Sequence, residues 1–556
     1  MAPLAPPPDF RGRFLTDPRA RAAYSEGAGP YRIVPAAVAF PESRDDLCAL
    51  VKYAVADGIA LTPRGAGSGM PGGNVGSGIV VDMGVLDRPL RIALNKVGNI
   101  GAAVSWAAVN QAAAHFGFRL PPDPASGAFC TIGGMVATNA AGAHSFSVGS
   151  IRRWVRGMEL ITADGEAGWV SRRHAERKHR LPTPPAKRVL VERFTMEDRV
   201  TAVLPRITAA RDEITARFPK TRKNSAGYAL DAYLESGELV DLLVGSEGTL
   251  GIMARVELEL DKTPHAIGTL LVALASLDAL GDVVAEVTGH QPAAIELLDR
   301  SFLDLAGPSA SAVPLDGVAA LLLVDFERAS DRELRPALTA AQRALQPGAR
   351  YTRMGVSATE REHLWKIRQG ASPALAALPA ARRSLQVIED GCVPVAALGR
   401  YLAGLRDAAR TAGIPVVAFG HAGDGHLHVN ALVDTTQPDF ETRLEQLFSA
   451  VSGLVIALGG TPSGEHGDGR LRARLLEQLY GPVVTGLFRD IKQAFDPAGV
   501  LNPGVIIPDG TPPLAALKVG PRAQAIPPDI AARLRQREMT AGWGSPVLGM
   551  LDDHPG

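Results

Sequence analysis

Three histidines lie close together between Gly420 and Asn430, in the stretch GHAGDGHLHVN. His421, His426 and His428 fall within eight residues, although the whole chain has only 12 histidines. Imidazole exchanges a proton near neutral pH and is a common metal ligand. The stretch is therefore a metal site, a proton-handling site, or a polar turn that is rich in histidine.

The pattern around these histidines predicts a β-hairpin, with strand PVVAFG, turn HAGDG and strand HLHVNALV. Side chains alternate along a strand, so His426, His428 and Asn430 share one face. The other face is aliphatic and consists of Leu427, Val429 and Ala431. Hairpins often expose one polar face to solvent, and that interpretation would give the histidines no common function.

A second histidine motif, SGEHGDG at residues 463–469, follows a long amphipathic segment. Two histidines and a carboxylate make an ordinary site for a divalent metal with open positions for a substrate. Taken alone, such a set of two histidines and a carboxylate would also suit a zinc-dependent hydrolase.

Small residues are concentrated in three other stretches, at 63–76 (PRGAGSGMPGGNVG), 121–142 and 245–260. Dense glycines let backbone N–H groups converge on an anion such as a pyrophosphate, although a flexible surface turn has the same composition. The first stretch is neither a Walker A loop nor a good dinucleotide fingerprint, because a strand-like run follows it. Three such loops favour one long ligand that several strand ends contact.

The bulk composition is that of an ordinary globular protein. The 556 residues predict two or three domains; they are 46% hydrophobic and 21% charged, with zero net charge, so no nucleic-acid partner is indicated. Cys48, Cys130 and Cys392 form no C-x-x-C pair, which argues against disulfides and iron–sulfur clusters. We see no signal peptide or membrane-spanning run and expect a cytoplasmic protein.

Several elements must position these motifs. Residues 32–66 predict a strand, a helix that ends at Gly58, and a second strand that enters the first glycine stretch. The clearest helix runs from Phe440 to Leu458. Residues 171–200 contain a basic insertion, and the tail after residue 508 is rich in Pro and Ala without a convincing core pattern.

Six motifs occur in one order: PRGAGSGMPGG, PPDP with TIGGMVATNAAG, GSEGTLGI, GHAGDGHLHVN, GEHGDG and FDPAGVLNPG. Over roughly residues 30–508 the chain thereby resembles the FAD-linked D-2-hydroxy acid dehydrogenases. These are the D-lactate dehydrogenase, D-2-hydroxyglutarate dehydrogenase and glycolate oxidase large-subunit branch of the vanillyl-alcohol oxidase superfamily. The resemblance implies an α+β protein, with a two-lobed FAD-binding domain and a cap domain of antiparallel sheet and helices.

On this basis we expect an amino-terminal extension at 1–30 and an FAD-binding domain at 31–264, which includes the insertion at 171–200. A substrate or cap domain at 265–490 would carry the metal site. A segment at 491–508 would return to FAD, and a Pro-rich tail would occupy 509–556.

The resemblance also implies the residues that bind FAD. No histidine stands in or beside the first glycine loop, so we expect the cofactor to be non-covalent. The implied FAD-binding residues are Arg64, Gly65, Ala66, Gly67, Ser68, Gly69, Gly72, Gly73, Pro122, Asp123, Thr131, Gly134, Asn139, Glu247, Gly248, Thr249, Ile252 and Asn502.

The resemblance assigns a divalent metal (Zn, Mn or Fe) to His421, His428 and Glu465. A 2-hydroxy acid would chelate this metal, which lowers the pKa of its hydroxyl group, and hydride would pass from C2 to flavin N5. His466 matches the catalytic base. The other implied catalytic residues are Arg368, which would clamp the substrate carboxylate, Asn430, which would orient the substrate, and His426, whose role is open.

Some relatives carry a fused iron–sulfur module, which this chain lacks. Electrons must then leave to a separate acceptor: an iron–sulfur protein, a cytochrome, a flavoprotein or a quinone. The basic insertion from Arg172 to Arg188 is either a solvated loop or a docking patch for an acidic carrier. A homo-oligomer is expected, and peripheral contact with a membrane is compatible with a quinone acceptor.

Ile388 stands where relatives that use dicarboxylates can place Lys, so the size of the substrate stays open. Three alternatives remain besides the dehydrogenase. They are an FAD-dependent oxidase of a sugar lactone or alditol, the zinc-dependent hydrolase, and a non-catalytic FAD-binding subunit.

Overall fold

The structure is a computed structural model that describes residues 4–173, 194–306 and 313–551. Before residue 263 its strands are Arg13–Leu15 (β1), Ala37–Phe40 (β2), Leu61–Arg64 (β3), Ile79–Asp82 (β4), Leu90–Ile92 (β5), Val97–Gly101 (β6), Phe118–Arg119 (β7), Val155–Ile161 (β8), Ala167–Ser171 (β9), Ile252–Glu259 (β10) and Asp261–Lys262 (β11). Its α-helices in this half are Pro18–Ala23, Arg44–Asp57, Trp106–Ala114, Ile132–Thr138, Ser145–Val148, Phe194–Thr201, Leu204–Ala209, Arg211–Arg217, Leu230–Ser236 and Leu239–Leu243.

These strands form two lobes with separate cores. The first sheet has the order β1-β2-β4-β3, and the second has the order β5-β6-β10-β8-β9. The predicted helix of the first lobe begins at Ser43, where Ser43 and Asp46 cap each other, and ends at Gly58 with a φ of 62°. Because β2 and β3 both run parallel to β4, their carboxyl ends meet where the first glycine stretch begins.

The second half of the chain contains one large sheet. Its strands are Ala266–Leu274 (β12), Ala294–Asp299 (β13), Ala320–Arg328 (β14), Ala349–Gly355 (β15), Arg383–Leu385 (β16), Gly391–Cys392 (β17), Val416–Gly420 (β18) and His426–Val433 (β19). The α-helices described from here to the carboxyl terminus are Leu280–Gly289, Arg300–Ala306, Asp331–Leu345, Ala358–Gln369, Ala371–Ala376, Leu398–Ala412, Phe440–Ala457, Gly469–Arg472, Leu476–Phe495 and Pro528–Met539. The predicted α+β class is confirmed.

Helices cover both faces of this antiparallel sheet, whose order is β15-β12-β14-β13-β18-β19-β16. One face packs against the long helices at 331–345, 398–412 and 440–457. The opposite face packs against the helices at 300–306 and 358–369. Polar side chains on these strands are therefore buried and need partners, since an unpaired buried polar group is costly.

The predicted histidine hairpin is confirmed. β18 pairs with β19 in antiparallel register, with Phe419 opposite His428. Every residue of β19 is buried. The interpretation as a solvent-exposed polar face is therefore wrong, because the cap helices cover one side and the amino-terminal lobes approach the other.

After the cap the chain returns to the first lobe. Segment 496–508 lies beside β3, where the Leu61 N–H donates to the Val500 carbonyl over 2.8 Å. The tail then forms the helix Pro528–Met539, whose Ile530 and Leu534 pack on Tyr24 and Val38. The tail sequence gave no convincing core pattern because its few apolar residues are spaced widely, and their partners lie about 500 positions away in the chain.

Within the described part of the chain, no helix is both long and apolar enough to span a bilayer. Most of the basic insertion, residues 174–193, lies outside the described residues. Its first two arginines have acidic partners, since Arg172 bonds Asp241 over 2.8 Å and Arg173 bonds Glu238 over 3.2 Å. The docking role of the insertion stays a prediction.

Candidate active site

The first glycine stretch is a tight loop that continues from β3. A Cβ atom on Gly65 would stand 2.3 Å from the hydroxyl oxygen of Thr131. Gly67 has a φ of 79°, and a Cβ there would stand 2.6 Å from the guanidinium of Arg64. Only glycine fits both positions, so the loop is held closely against its neighbours rather than being a flexible surface turn.

This loop forms one wall of a cleft of about 920 Å³ between the amino-terminal lobes and the cap. That volume lies near the upper end of the roughly 300–1,000 Å³ that small-molecule and cofactor sites occupy. The loop's open backbone and the cleft's length suit an extended, phosphate-containing cofactor such as FAD. The predicted cofactor residues that line the cleft are Arg64, Gly65, Ala66, Gly67, Ser68, Gly69, Gly73, Asp123, Thr131, Gly134, Glu247, Gly248 and Ile252.

The other predicted cofactor residues lie behind this wall and support it. The Asn502 amide donates to the carbonyls of Gly73 over 2.9 Å and Glu247 over 2.8 Å. The remaining four fix loops: Gly72 packs on Tyr31, Pro122 accepts a hydrogen bond from Trp106, Asn139 ends a helix with a φ of 54°, and Thr249 bonds Tyr228.

The three predicted metal ligands converge in the wall of the same cleft. His421 Nε2 lies 3.3 Å from His428 Nε2 and 3.2 Å from Glu465 Oε1, and His428 Nε2 lies 3.4 Å from the same oxygen. Ligands about 2.0–2.2 Å from a tetrahedral ion are roughly 3.3–3.6 Å apart. The three atoms therefore have the chemistry and the separations of a donor set for a divalent cation.

Both ligand histidines have a carboxylate behind them. The Nδ1 atom of His421 bonds Glu296, and the Nδ1 atom of His428 lies 3.6 Å from Glu389. Such carboxylates fix the tautomer of a ligating imidazole and raise its basicity. The sequence analysis missed both acids, although each interrupts an apolar run, in AAIELLD and in QVIEDG.

The pKa values of His421 and His428 are shifted in opposite directions. Burial opposes the charged form of His421, but Glu296 outweighs it and raises the pKa of His421 to about 9. Burial lowers the pKa of His428, so this imidazole is neutral. Burial alone would raise the pKa of Glu465, but Lys223 outweighs it and holds this pKa well below its usual value.

Lys223 reaches this cluster from the amino-terminal half of the chain. Its ammonium donates to Glu465 Oε2 over 2.7 Å and to the Gly142 carbonyl over 3.1 Å. Because Lys223 engages one carboxylate oxygen, it turns the other oxygen, Oε1, toward the two histidines. Lys223 had no recognisable signal in the sequence, because its partner lies 242 positions away.

His466, the predicted base, lines the cleft next to the metal cluster. Its Nδ1 lies 2.7 Å from Glu389, which also pairs with the buried Arg472. Burial opposes the charged form of His466, but Glu389 and Asp390 outweigh it and raise its pKa to about 10. Nε2 is then the nitrogen that is left to face a substrate.

The other predicted catalytic residues have different surroundings. Arg368 and Asn430 line the cleft; Arg368 Nε lies 3.1 Å from Glu296, and its guanidinium stacks on Phe419. His426 is fully buried against Asp390 at 2.8 Å, and burial lowers its pKa to about 3. His426 does not line the cleft, although one of its ring nitrogens lies within 4.8 Å of the donor atoms of His421, His428 and Glu465.

Two family models match the chain: the FAD binding domain over residues 35–171 and the C-terminal domain of FAD linked oxidases over residues 263–506. D-lactate dehydrogenase from Archaeoglobus fulgidus is 28% identical over 473 residues, which are 84% of this chain and 90% of the relative. Glycolate oxidase subunit GlcD from Bacillus subtilis is 28% identical over 87% of this chain and 92% of the relative. D-2-hydroxyglutarate dehydrogenase from Xanthomonas citri pv. viticola is 28% identical over 84% and 89%.

Solved structures show the same fold at low identity. 4-ethylphenol oxidase from Gulosibacter chungangensis superposes with a TM-score of 0.61 at 13% identity, over 89% of this chain and 94% of the other. p-Cresol methylhydroxylase has a TM-score of 0.61 at 12% identity, over 90% and 95%. The fold is therefore that of the vanillyl-alcohol-oxidase-type flavoenzymes, as the motifs predicted.

The chain thus contains an FAD binding domain and the C-terminal domain of FAD linked oxidases. Three of its relatives are named D-lactate dehydrogenase, D-2-hydroxyglutarate dehydrogenase and glycolate oxidase subunit GlcD. The resemblance that the six motifs indicated is thereby confirmed, and the protein is an FAD-linked oxidoreductase.

Metal binding should weaken as the pH falls. A divalent ion and a proton compete for His421 Nε2, and a pKa of about 9 keeps this histidine protonated at neutral pH. From about pH 8 to about pH 6 the apparent affinity should fall roughly tenfold or more per pH unit, with at least one proton released on binding. Competition with a chromophoric chelator measures the affinity, and an affinity independent of pH contradicts the assignment of His421.

Lys223→Met should destabilise the metal-free protein more than the metal-loaded protein. Without its lysine, the buried Glu465 carboxylate lacks its nearest cation, at a cost of about 3 kcal/mol in the free energy of unfolding. A bound cation would supply much of the positive charge that the substitution removes. Denaturant unfolding with and without metal measures the difference. Lys220→Met, at an exposed lysine nearby, is the control, and equal losses with and without metal would show that Lys223 does not act through Glu465.

Proposed function

We propose that this protein is an FAD-dependent dehydrogenase that oxidises a D-2-hydroxy acid, of the D-lactate, D-2-hydroxyglutarate or glycolate type, to the 2-oxo acid. The observation that carries the proposal is the convergence of His421, His428 and Glu465 in the same cleft as the glycine loop. A site for a chelated substrate then adjoins a site for a flavin. The names of three relatives that each cover at least 84% of this chain support this substrate class.

When bound, FAD would supply a hydride acceptor and the divalent metal a Lewis acid for the substrate hydroxyl. His466 would take the hydroxyl proton at Nε2, because Glu389 holds its Nδ1–H at 2.7 Å. Glu389 and Asp390 raise the pKa of His466 to about 10. A cation held by the adjoining residues would lower this pKa, because like charges disfavour each other, and would make the neutral base accessible.

Arg368 would hold the substrate carboxylate. Glu296 engages its Nε at 3.1 Å, and Phe419 lies under its guanidinium at 4.5 Å. This arrangement orients the planar group and leaves its terminal nitrogens for a bidentate contact. Glu296 also holds His421, so one carboxylate sets the positions of both the clamp and a metal ligand. Asn430 would orient the substrate from β19.

The position that the sequence singled out for the size of the substrate side chain does not line the cleft. Ile388, which the sequence comparison singled out, is buried in the cap core. The neighbouring residues Gln386 and Glu389 line the cleft instead. Neither is a cation, and the size of the substrate side chain stays open among the three proposed types of acid.

The alternative that keeps FAD is an oxidase of another alcohol, such as a sugar lactone or an alditol. A hydrolase is disfavoured by the match to an FAD binding domain and to the C-terminal domain of FAD linked oxidases.

The dehydrogenase proposal includes a separate electron acceptor: an iron–sulfur protein, a cytochrome, a flavoprotein or a quinone. Reoxidation of the reduced protein by oxygen as fast as turnover would establish an oxidase.

An anaerobic screen tests the function directly. The purified protein, reconstituted with FAD and in turn with Zn, Mn or Fe, is mixed with D- and L-2-hydroxy acids, sugar lactones and alditols. We expect a D-2-hydroxy acid to bleach the flavin absorbance near 450 nm (roughly the usual flavin maximum) and to yield the 2-oxo acid. Bleaching by an alditol but by no hydroxy acid would refute the proposed substrate class.

His428→Ala should retain FAD and lose activity. The substitution removes one predicted metal ligand and leaves the glycine loop intact, so the flavin spectrum should be unchanged. The rate of flavin reduction should fall at least about a hundredfold, because Lewis-acid stabilisation is worth several kcal/mol. His265→Ala, at an exposed histidine, is the matched control. Full activity in metal-depleted protein would contradict the ligand assignment.

His466→Ala should slow flavin reduction by about 10²- to 10⁴-fold, because a positioned base acts in the transition state. Substrate binding, measured at equilibrium with the oxidised flavin, should weaken far less. Stopped-flow absorbance separates the two quantities. If both proteins reduce the flavin at the same rate, the base is another group, and the buried His426 offers no direct route to the cleft.

A further inference from the structure

The carboxy-terminal strap, residues 513–551, lies beyond both matched family models, which end at residues 171 and 506. It is nevertheless part of the cleft wall, where it contributes Glu538, Ala541 and Trp543. We infer that the strap completes the cofactor site and that Trp543 packs against the bound FAD. This inference rests on the proposed FAD-dependent function and adds a cofactor-contacting residue to it.

The strap is fixed along its whole length. At its start, Tyr31 and Leu517 form an antiparallel bridge, and the Lys518 N–H donates to the Pro30 carbonyl over 2.8 Å. Its helix, Pro528–Met539, buries Ile530 and Leu534 against the first lobe. A segment held in this way presents its side chains to the cleft at defined positions.

The strap also reaches the cap. Glu538 is bonded to Arg383 at the start of β16, and it lies 3.2 Å from Lys518 and 3.1 Å from Arg535. The guanidinium of Arg535 donates to the Leu378 carbonyl of the cap over 2.9 Å. The strap therefore crosses the cleft from the amino-terminal lobe to the cap.

Trp543 lines the cleft next to the loop that contains Phe129. The adjacent Gly544 lies against Phe129, such that a Cβ on Gly544 would stand 3.4 Å from the Phe129 Cβ. Phe129 belongs to the loop that leads into Thr131 and also lines the cleft. The indole is 8% exposed. Trp543 therefore lies beside a predicted cofactor-binding loop of the amino-terminal half of the chain.

Arg537 stabilises the turn that carries Trp543. Its guanidinium donates to the carbonyls of Trp543 over 3.1 Å and Ser545 over 2.7 Å, and it lies over the indole ring at 5.4 Å. Burial and the nearby Arg64 lower the pKa of Arg537 to about 10. Two buried guanidinium groups close to the glycine loop favour an anion in that part of the cleft, and the pyrophosphate of FAD is such an anion.

The test is the dissociation constant for FAD, measured by titrating the deflavinated full-length protein. Trp543→Ala should raise this constant by about tenfold or more, because a large aromatic contact area is lost. Trp543→Phe should recover most of the affinity. Trp169→Ala, at a tryptophan on β9 that is outside the cleft lining, should change it by less than about twofold. Unfolding midpoints show that each variant is folded.

A second readout does not depend on affinity. FAD quenches the emission of nearby tryptophans, so saturating FAD should quench a smaller share of the emission in Trp543→Phe than in the wild type. Equal FAD dissociation constants and equal quenching in wild type and variants would overturn the inference, as would a variant in which only the substrate KM rises. If the wild-type protein takes up no FAD at all, the proposed function itself fails.

Discussion

The active site depends on one buried ion pair, between Lys223 and Glu465. Lys223 comes from the amino-terminal half and Glu465 from the motif that follows the last cap helix, and both side chains are almost inaccessible to water. Separating them would leave a buried charge without its partner, which costs several kcal/mol. The pair therefore holds the two halves together at the place where the glutamate meets the two ligand histidines. The three predicted ligands all come from the second half of the chain, and Lys223 of the first half completes their surroundings.

A second contact ties three of the glycine-rich motifs to each other. The carboxylate of Glu247 accepts hydrogen bonds from the backbone of Asp468 at 2.7 Å and Gly469 at 3.0 Å. The Glu247 carbonyl accepts from Asn502. A Cβ on Gly467 would stand 2.7 Å from Glu247, and one on Gly469 would stand 2.1 Å from the Pro71 carbonyl. These glycines are thus required by close packing between loops as well as by a ligand.

The four histidines of the site show how far surroundings decide chemistry. Glu296 raises the pKa of His421, and Glu389 with Asp390 raises that of His466. Burial lowers the pKa of His426 and of His428. Two of these side chains favour the protonated state and two favour the neutral state, within one cluster. The neighbouring acids and burial, rather than the imidazoles themselves, set the protonation state of each histidine.

By itself the sequence determined the fold class, the hairpin that carries His421 and His428, and the three predicted metal ligands that the structure brings together. These follow from local features: alternation along a strand, glycines after strand ends, and motifs whose order is visible in one chain. The sequence could not supply Lys223, Glu296 or Glu389, because each acts through a partner tens to hundreds of positions away. The packing of the tail could not be predicted either, since its few apolar side chains pack on residues from the opposite end of the chain. Only the tertiary structure decided these, because burial and pairing depend on which surfaces meet, and spacing along the chain does not record that.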